Sequence, residues 1–87
     1  MKAANDICTN NELISDYWGC EYAVEDLRDF SGLDIQFYGL EKEARYPKGC
    51  YKLTNFKTKE YNKYAYFNTH PTGSANKKAK PICELSE

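Results

Sequence analysis

No stretch of this chain approaches the roughly twenty consecutive apolar residues of a membrane-spanning helix, so none is expected within it. Mean hydropathy is −0.79, well on the polar side. The opening residues, Met1 to Asp6, lack the apolar h-region of a secretory signal. The chain is therefore expected to be a mature form or one module of a longer protein. No Asn-x-Ser/Thr acceptor for N-glycosylation occurs. Histidine occurs once, at His70, and no two cysteines form a CxxC pair. A zinc site would have to gather four distant ligands, so no metal and no cofactor is expected. A Walker-type Gly-x-x-x-x-Gly-Lys-Ser/Thr loop is also missing. Thr72-Gly73-Ser74 followed by Lys77-Lys78 brings hydroxyls, backbone N–H groups and cations together, yet reads as a turn with solvated lysines.

What is present is an even set of cysteines, Cys8, Cys20, Cys50 and Cys83, spread over 87 residues. A chain this short makes one domain and buries only about 60–65% of its unfolded surface, so a hydrophobic core alone is marginal. Two disulfides would make up the shortfall and would place the protein in an oxidising compartment, secreted or within an organelle lumen. The domain is taken as 1–87, with a core of about 7–83. Charge is unevenly spread: residues 1–40 hold two basic and eight acidic groups, residues 41–87 ten and five. Either the halves neutralise each other in the fold, or a polarised molecule docks a charged partner.

Ser15 or Asp16 can cap a helix in which Cys20, Ala23, Val24, Leu27 and Phe30 form one apolar stripe at i, i+3, i+4, i+7 and i+10. Glu21, Glu25, Asp26 and Arg28 lie off that stripe, and Gly32 supplies the stop. Ile35–Tyr38 is a short strand, Gly39–Arg45 a charged loop, and Tyr46–Gly49 a turn built on Pro47 and Gly49. Cys50–Leu53 alternates as a half-buried strand does, and Tyr64–Phe67 returns beside it after a polar connection. His70–Asn76 reads as a turn-rich loop, and Pro81–Cys83 as a brief last strand. The expected fold class is α+β, one helix on a small, mainly antiparallel sheet. Four cysteines allow three pairings. Cys20–Cys50, joining core-facing positions, with Cys8–Cys83, closing nearly the whole chain, is favoured. Alternating pairings such as Cys8–Cys50 with Cys20–Cys83 remain open. The longer closure is worth roughly 4 kcal/mol in the chain-entropy description.

The helix with its core cysteine, then Tyr46-Pro47-Lys48-Gly49-Cys50-Tyr51, Tyr66-Phe67-Asn68-Thr69-His70-Pro71-Thr72-Gly73-Ser74-Ala75-Asn76 and Pro81-Ile82-Cys83, resembles a small cysteine-containing module of predicted algal and protist proteins. The likeness runs from about Leu13 to Cys83. It implies domain identity and a secreted or lumenal setting, and it carries no activity and no site residues. A looser likeness to PAN/apple modules, which fasten a central helix to a sheet by disulfide and bind carbohydrate or protein, is one of architecture, since the cysteine spacing differs.

Catalytic chemistry finds little support. If the cysteines are paired, His70 has no thiolate to activate. Glu25, Asp26 and Asp29 read as a wet helix face rather than an acid–base pair. Tyr51, Tyr61, Tyr64 and Tyr66 alternate with Lys52, Lys57, Lys59 and Lys63, a pattern that single-stranded nucleic acid can use. An oxidising compartment and a pI of 5.8 argue against that partner. Tyrosine also gives rigid amphipathic contact to proteins and sugars. Tyr51 and Tyr66 are expected as core or cross-strand pairs, Tyr61 and Tyr64 as the more exposed. The expected role is a non-enzymatic extracellular or lumenal binding module for a glycan or protein, with Tyr61, Tyr64, His70 and Asn76 as ligand-binding candidates. The alternative is a structural accessory subunit docking on a larger assembly through its charge asymmetry.

Overall fold

Asp16 begins the helix by turning its short carboxylate back on the chain. Its Oδ1 accepts from the backbone N–H of Gly19 at 2.6 Å, while its own backbone stays extended at φ −141° and ψ 162°. One of the free donors of the first turn is thereby satisfied. The helix α1 runs Tyr17–Ser31 and stops at Gly32, whose φ of 65° is the left-handed conformation that ends helices. In this computed structural model, residues 1–32 and 34–84 are described. Cys20 and Val24 are fully buried, with Ala23 and Leu27 packed beside them. Phe30 departs from the expected stripe and is 87% exposed. At 3.6 residues per turn its side chain lies roughly 80° round from Cys20, too far to reach the sheet.

Among the described residues four strands form one sheet: β1 Gln36–Glu41, β2 Pro47–Leu53, β3 Tyr64–Gly73 and β4 Ala79–Pro81, in the order β1-β3-β2-β4. A 3₁₀ turn, Tyr61–Lys63, leads into β3. The pairings of β2 with β3 and with β4 are antiparallel, and β1 runs parallel to β3. So β3 enters between β1 and β2, and the chain leaving β1 must arch across its path. That arch spans two strand spacings, roughly 10 Å. Its turn closes with Tyr46 N donating to Glu43 O at 3.4 Å. The turn expected at Tyr46–Gly49 therefore lies earlier in the chain. Pro47 instead opens β2, where a strand's first residue tolerates the lost N–H, and the register shifts between Pro47 and Gly49.

β3 is longer than expected and carries His70 to Gly73 past the arch, leaving only residues 74–78 as the loop. Gly73, at φ 61°, pairs with Pro47; a Cβ there would run into Lys48 N and Tyr46 O, so only glycine fits. β1 likewise extends past Tyr38 to Glu41, and β4 starts earlier than expected, at Ala79.

The two faces of the sheet are packed differently. Under α1 lie Ile35, Cys50, Ala65 and Ile82, with Phe37 and Phe67 alongside. On the other face Tyr51, Leu53 and Ala79 are buried by Tyr46, Phe56, Tyr64 and Tyr66. Cys20–Cys50 ties the helix to β2 with Cα atoms 5.3 Å apart, and Cys8–Cys83 joins the two ends of the fold across 75 residues. The favoured pairing is the one formed, and no cysteine is free. Outside β4 the N-terminal segment runs on, with Lys2 N donating to Pro81 O and Asn5 N to Asn76 O, both at 2.9 Å.

Candidate functional site: an aromatic sheet face and a cationic groove

Because successive strand residues point to opposite faces, the register puts Tyr51 opposite Tyr66 and Lys52 opposite Ala65. Tyrosines therefore gather on the helix-free side, and Lys52 goes to the other. The tyrosine–lysine alternation in sequence does not become one mixed surface. Across the helix-free face the rings form a continuous row. Tyr46 stacks on Tyr51 at 5.1 Å between centroids, Tyr51 on Tyr66 at 5.9 Å, and Tyr38 leans on Tyr66 at 5.5 Å and on Tyr64 at 4.8 Å. The row continues through Tyr61, 6.1 Å from Tyr64, to Phe56 at 5.7 Å from Tyr61. These separations suit offset and edge-to-face packing, worth about 0.5–1.5 kcal/mol per pair beyond area. Tyr51, held between Tyr46 and Tyr66, is 0% exposed, whereas Tyr38 is 62% and Tyr61 50% exposed. Buried and accessible rings thus alternate with half-buried ones along the row.

Local hydrogen bonds hold part of the row. Asn62 clasps Phe56 by both ends of its amide: Oδ1 accepts from Phe56 N at 2.9 Å and Nδ2 donates to Phe56 O at 3.1 Å. Tyr64 donates its hydroxyl to Glu60 Oε1 at 3.1 Å. Burial, then the bond it donates to Glu60, raises the Tyr64 phenol above its ordinary value; burial, then the charge of Glu41, does the same for Tyr66. Burial also raises Tyr46, against the pull of Arg45. All three phenols remain neutral near neutral pH and present amphipathic rings. Two polar atoms on this side, Tyr51 Oη and Glu41 Oε1, are buried without a partner among the described residues.

The two terminal rings of the row, Tyr46 and Phe56, both line a groove of about 520 Å³. Arg45, Tyr46, Phe56, Asn76, Lys77 and Lys78 line it. Lys78 Nζ sits 4.8 Å from the centroid of Phe56, and Arg45 binds Glu43 through Nε at 3.0 Å and Nη2 at 3.3 Å. Asn76 braces the groove: its Nδ2 donates to Arg45 O at 2.9 Å and its Oδ1 accepts from Lys78 N at 2.8 Å.

Of the residues singled out from sequence, Tyr61 and Tyr64 come together as neighbours in the row. Asn76 lines the groove, but its amide is spent on the backbone, which makes it a positioning residue. His70 belongs to a separate device: its Nδ1 accepts from Gly73 N at 2.9 Å and Thr72 N at 3.2 Å, holding the end of β3. Nδ1 as the acceptor puts the ring proton on Nε2. Sequence reading missed Tyr38, Tyr46, Phe56, Arg45 and the lysine pair as one surface. The signal available was the alternation Tyr64-Ala65-Tyr66-Phe67, which already sorts tyrosine to one face. Among the described residues no helix is long and apolar enough to cross a membrane, and no three His, Cys, Asp or Glu side chains converge. Comparison with family models, curated proteins and solved structures finds no match.

Proposed function

We propose that this is a non-enzymatic binding module of an oxidising compartment, secreted or lumenal, whose ligand is a glycan held on the aromatic sheet face. The observation that carries this reading is the row of tyrosine rings on the side that α1 leaves open. Sugar rings present C–H groups of partial positive charge, which the negative faces of aromatic rings attract, and tyrosine adds a hydroxyl donor with few rotatable bonds to freeze. Tyr38 and Tyr61 offer accessible ring surface, and Tyr64 and Tyr66 give the platform its rigidity. Two disulfides support the compartment. The test is a glycan array followed by titration of the best class. Binding that falls about tenfold or more in Tyr38→Ala/Tyr61→Ala, with an unchanged fold, is the expected result, on the scale of losing well-packed aromatic contacts. Absence of binding to any glycan, with capture of a protein on the same face, would turn the reading to a protein ligand.

A second reading, the accessory subunit, has its own observation. The outer side of α1 exposes Trp18, Tyr22 and Phe30 among Glu21, Glu25, Asp26 and Asp29. Such a face suits a basic partner surface. Co-purification from the native source that is lost in Trp18→Ala/Tyr22→Ala, but kept in Tyr38→Ala/Tyr61→Ala, would favour it.

A further inference from the structure

The groove beside the aromatic face differs in charge from two other depressions among the described residues. The depression between α1 and the C-terminal segment is lined by Asp16, Asp26 and Glu84 with no lysine or arginine. One near the start of β2 has Lys48 as its single charged residue. The groove at Tyr46 and Phe56 has three cations, Arg45, Lys77 and Lys78, and no carboxylate in its lining. Glu43 occupies much of the Arg45 guanidinium. Lys77 and Lys78 have no carboxylate within ion-pair distance among the described residues. The uncompensated charge of the groove therefore sits on two adjacent ammonium groups at the mouth of an aromatic slot.

That slot is also pre-formed. Asn76 fastens the arch at Arg45 to the turn at Lys78, and Asn5 N donates to Asn76 O at 2.9 Å from outside. Asn55 Nδ2 donates to Lys77 O at 2.6 Å and fixes the lysine backbone from the Phe56 side. Four separate segments are thus locked around one concavity, so a ligand entering it has little backbone left to order. Phe56 and Tyr46 supply apolar ring surface, and an ammonium delivers charge-assisted hydrogen bonds to an oxyanion. A groove of about 520 Å³ is within the size range of small-ligand sites and open enough for part of a chain.

We infer that this groove binds the acidic unit of a glycan, a uronate carboxylate or a sulfate ester held by Lys77 and Lys78 with Arg45 at the rim, its sugar ring against Phe56 and Tyr46. The inference rests on the glycan reading of the aromatic face and narrows it to anionic sugars. The rest of the chain would leave the groove along the row through Tyr61 and Tyr38.

The experiment is a two-dimensional amide NMR titration of the isotope-labelled chain with tetrasaccharides matched in length: uronate-rich, sulfated and neutral. Inorganic sulfate and a tetraglutamate peptide serve as probes of charge alone. An acidic tetrasaccharide is expected to bind about tenfold more tightly than the neutral one at moderate salt, the scale of two or three exposed ionic contacts. The advantage should shrink as salt rises. The larger response of the two acidic sugars tells carboxylate from sulfate ester. Lys77→Gln/Lys78→Gln should abolish the advantage, with amide resonances remote from the groove staying at their parent positions. Equal affinity for acidic and neutral sugars overturns the inference while the glycan reading stands. So does an undiminished advantage in the lysine variant. Sulfate or tetraglutamate matching the acidic sugar would overturn it as well, since the site would then read charge and not sugar. If no saccharide shifts any resonance, the glycan reading itself fails.

Discussion

Asn68 and Glu43 form a two-point clasp across 25 residues of chain: Asn68 Oδ1 accepts from Glu43 N at 2.9 Å and Asn68 Nδ2 donates to Glu43 O at 2.8 Å. The same Nδ2 donates to Tyr46 O and Pro47 O at 3.1 and 3.0 Å, and Oδ1 also accepts from His70 N at 3.1 Å. Asn68 is 1% exposed and sits in β3 where the β1–β2 arch passes over. An arch across a strand cannot use the ladder, and this one amide supplies partners to backbone groups that would otherwise be buried alone. Asn68→Ala is expected to cost about 3–5 kcal/mol, since several orphaned backbone groups each carry a desolvation penalty. Asn68→Asp should cost at least as much, because it turns a carboxylate oxygen on three carbonyls. Urea unfolding of both variants checks this; losses within about 0.5 kcal/mol of zero would show that the arch finds other partners.

Such a hub could not be read from the sequence, and the reason is physical. Helix caps and hydrophobic stripes are local, so Asp16, Gly32 and the Cys20–Val24–Leu27 face were legible. Cys20–Cys50 was favoured because both positions face the core and Cys8–Cys83 because it closes nearly the whole chain, though sequence left other pairings open; the Tyr51–Tyr66 pair was legible from alternation. Apart from the bond that its Oδ1 accepts from His70 N, two residues on, the partners of Asn68 lie 21 to 25 residues back. Pro71, Thr72 and Gly73 have turn composition, yet β3 carries them as strand because Gly73 must pass close under Tyr46 and Lys48. Pro47 was ambiguous for a related reason, since proline suits a turn and a strand's first residue equally. Of the candidate site, the two neighbouring tyrosines were visible in sequence. The groove was not, because Arg45, Phe56 and Lys78 meet only through the arch.

The orphan hydroxyl of Tyr51 gives a prediction of opposite sign to most core changes. Its ring is held between Tyr46 and Tyr66 while Oη is buried without a partner. Tyr51→Phe keeps the stacking and removes the unsatisfied group, so stability should stay level or rise by about 1–2 kcal/mol. Tyr51→Ala should lose about 3–5 kcal/mol through the cavity it leaves. A clear drop in the thermal midpoint of the Phe variant would mean that the hydroxyl is satisfied in solution.

The two disulfides should rank against their loop lengths. Chain entropy alone assigns about 4.5 kcal/mol to a closure of 75 residues and about 3.6 kcal/mol to one of 30. Cys20 and Cys50, however, are 0% and 1% exposed inside the helix-side core, whereas Cys83 is only half-buried. Cys20→Ala/Cys50→Ala removes two packed sulfurs as well as the constraint, adding a cavity term of about 1–3 kcal/mol. It is expected to be the more damaging pair. Cys8→Ala/Cys83→Ala should keep a native-like spectrum at reduced stability. Denaturation midpoints in the reverse order would show that closure entropy outweighs packing here.

Two glutamates should tilt stability with pH in opposite directions. The Lys2 ammonium at 3.0 Å, with the Thr9 hydroxyl and N–H, lowers the Glu12 carboxyl to about 2 from the ordinary 4.5. A depressed pKa means that folding favours the ionised form, so the contribution of Glu12 is full above 4.5 and is lost as pH falls through about 2. Glu41 is the reverse case. Its half-buried carboxylate, with Oε1 lacking a partner, is raised above 4.5 first by burial and then by the like charge of Glu43. Folding favours its protonated form, so that contribution is present below 4.5 and lost as pH rises through the raised value. At neutral pH the ionised Glu41 is therefore a liability that glutamine would not share. Glu41→Gln should raise the urea midpoint at pH 7, with the gap closing as pH drops below the ordinary carboxylate range. Glu12→Gln should lower the midpoint at pH 7 by a modest, salt-screened amount, the difference fading only as pH nears 2. Unfolding series of the three proteins from pH 2 to pH 8 distinguish the cases. A Glu41→Gln protein less stable than its parent at pH 7 would mean that the carboxylate has found a partner on the aromatic face.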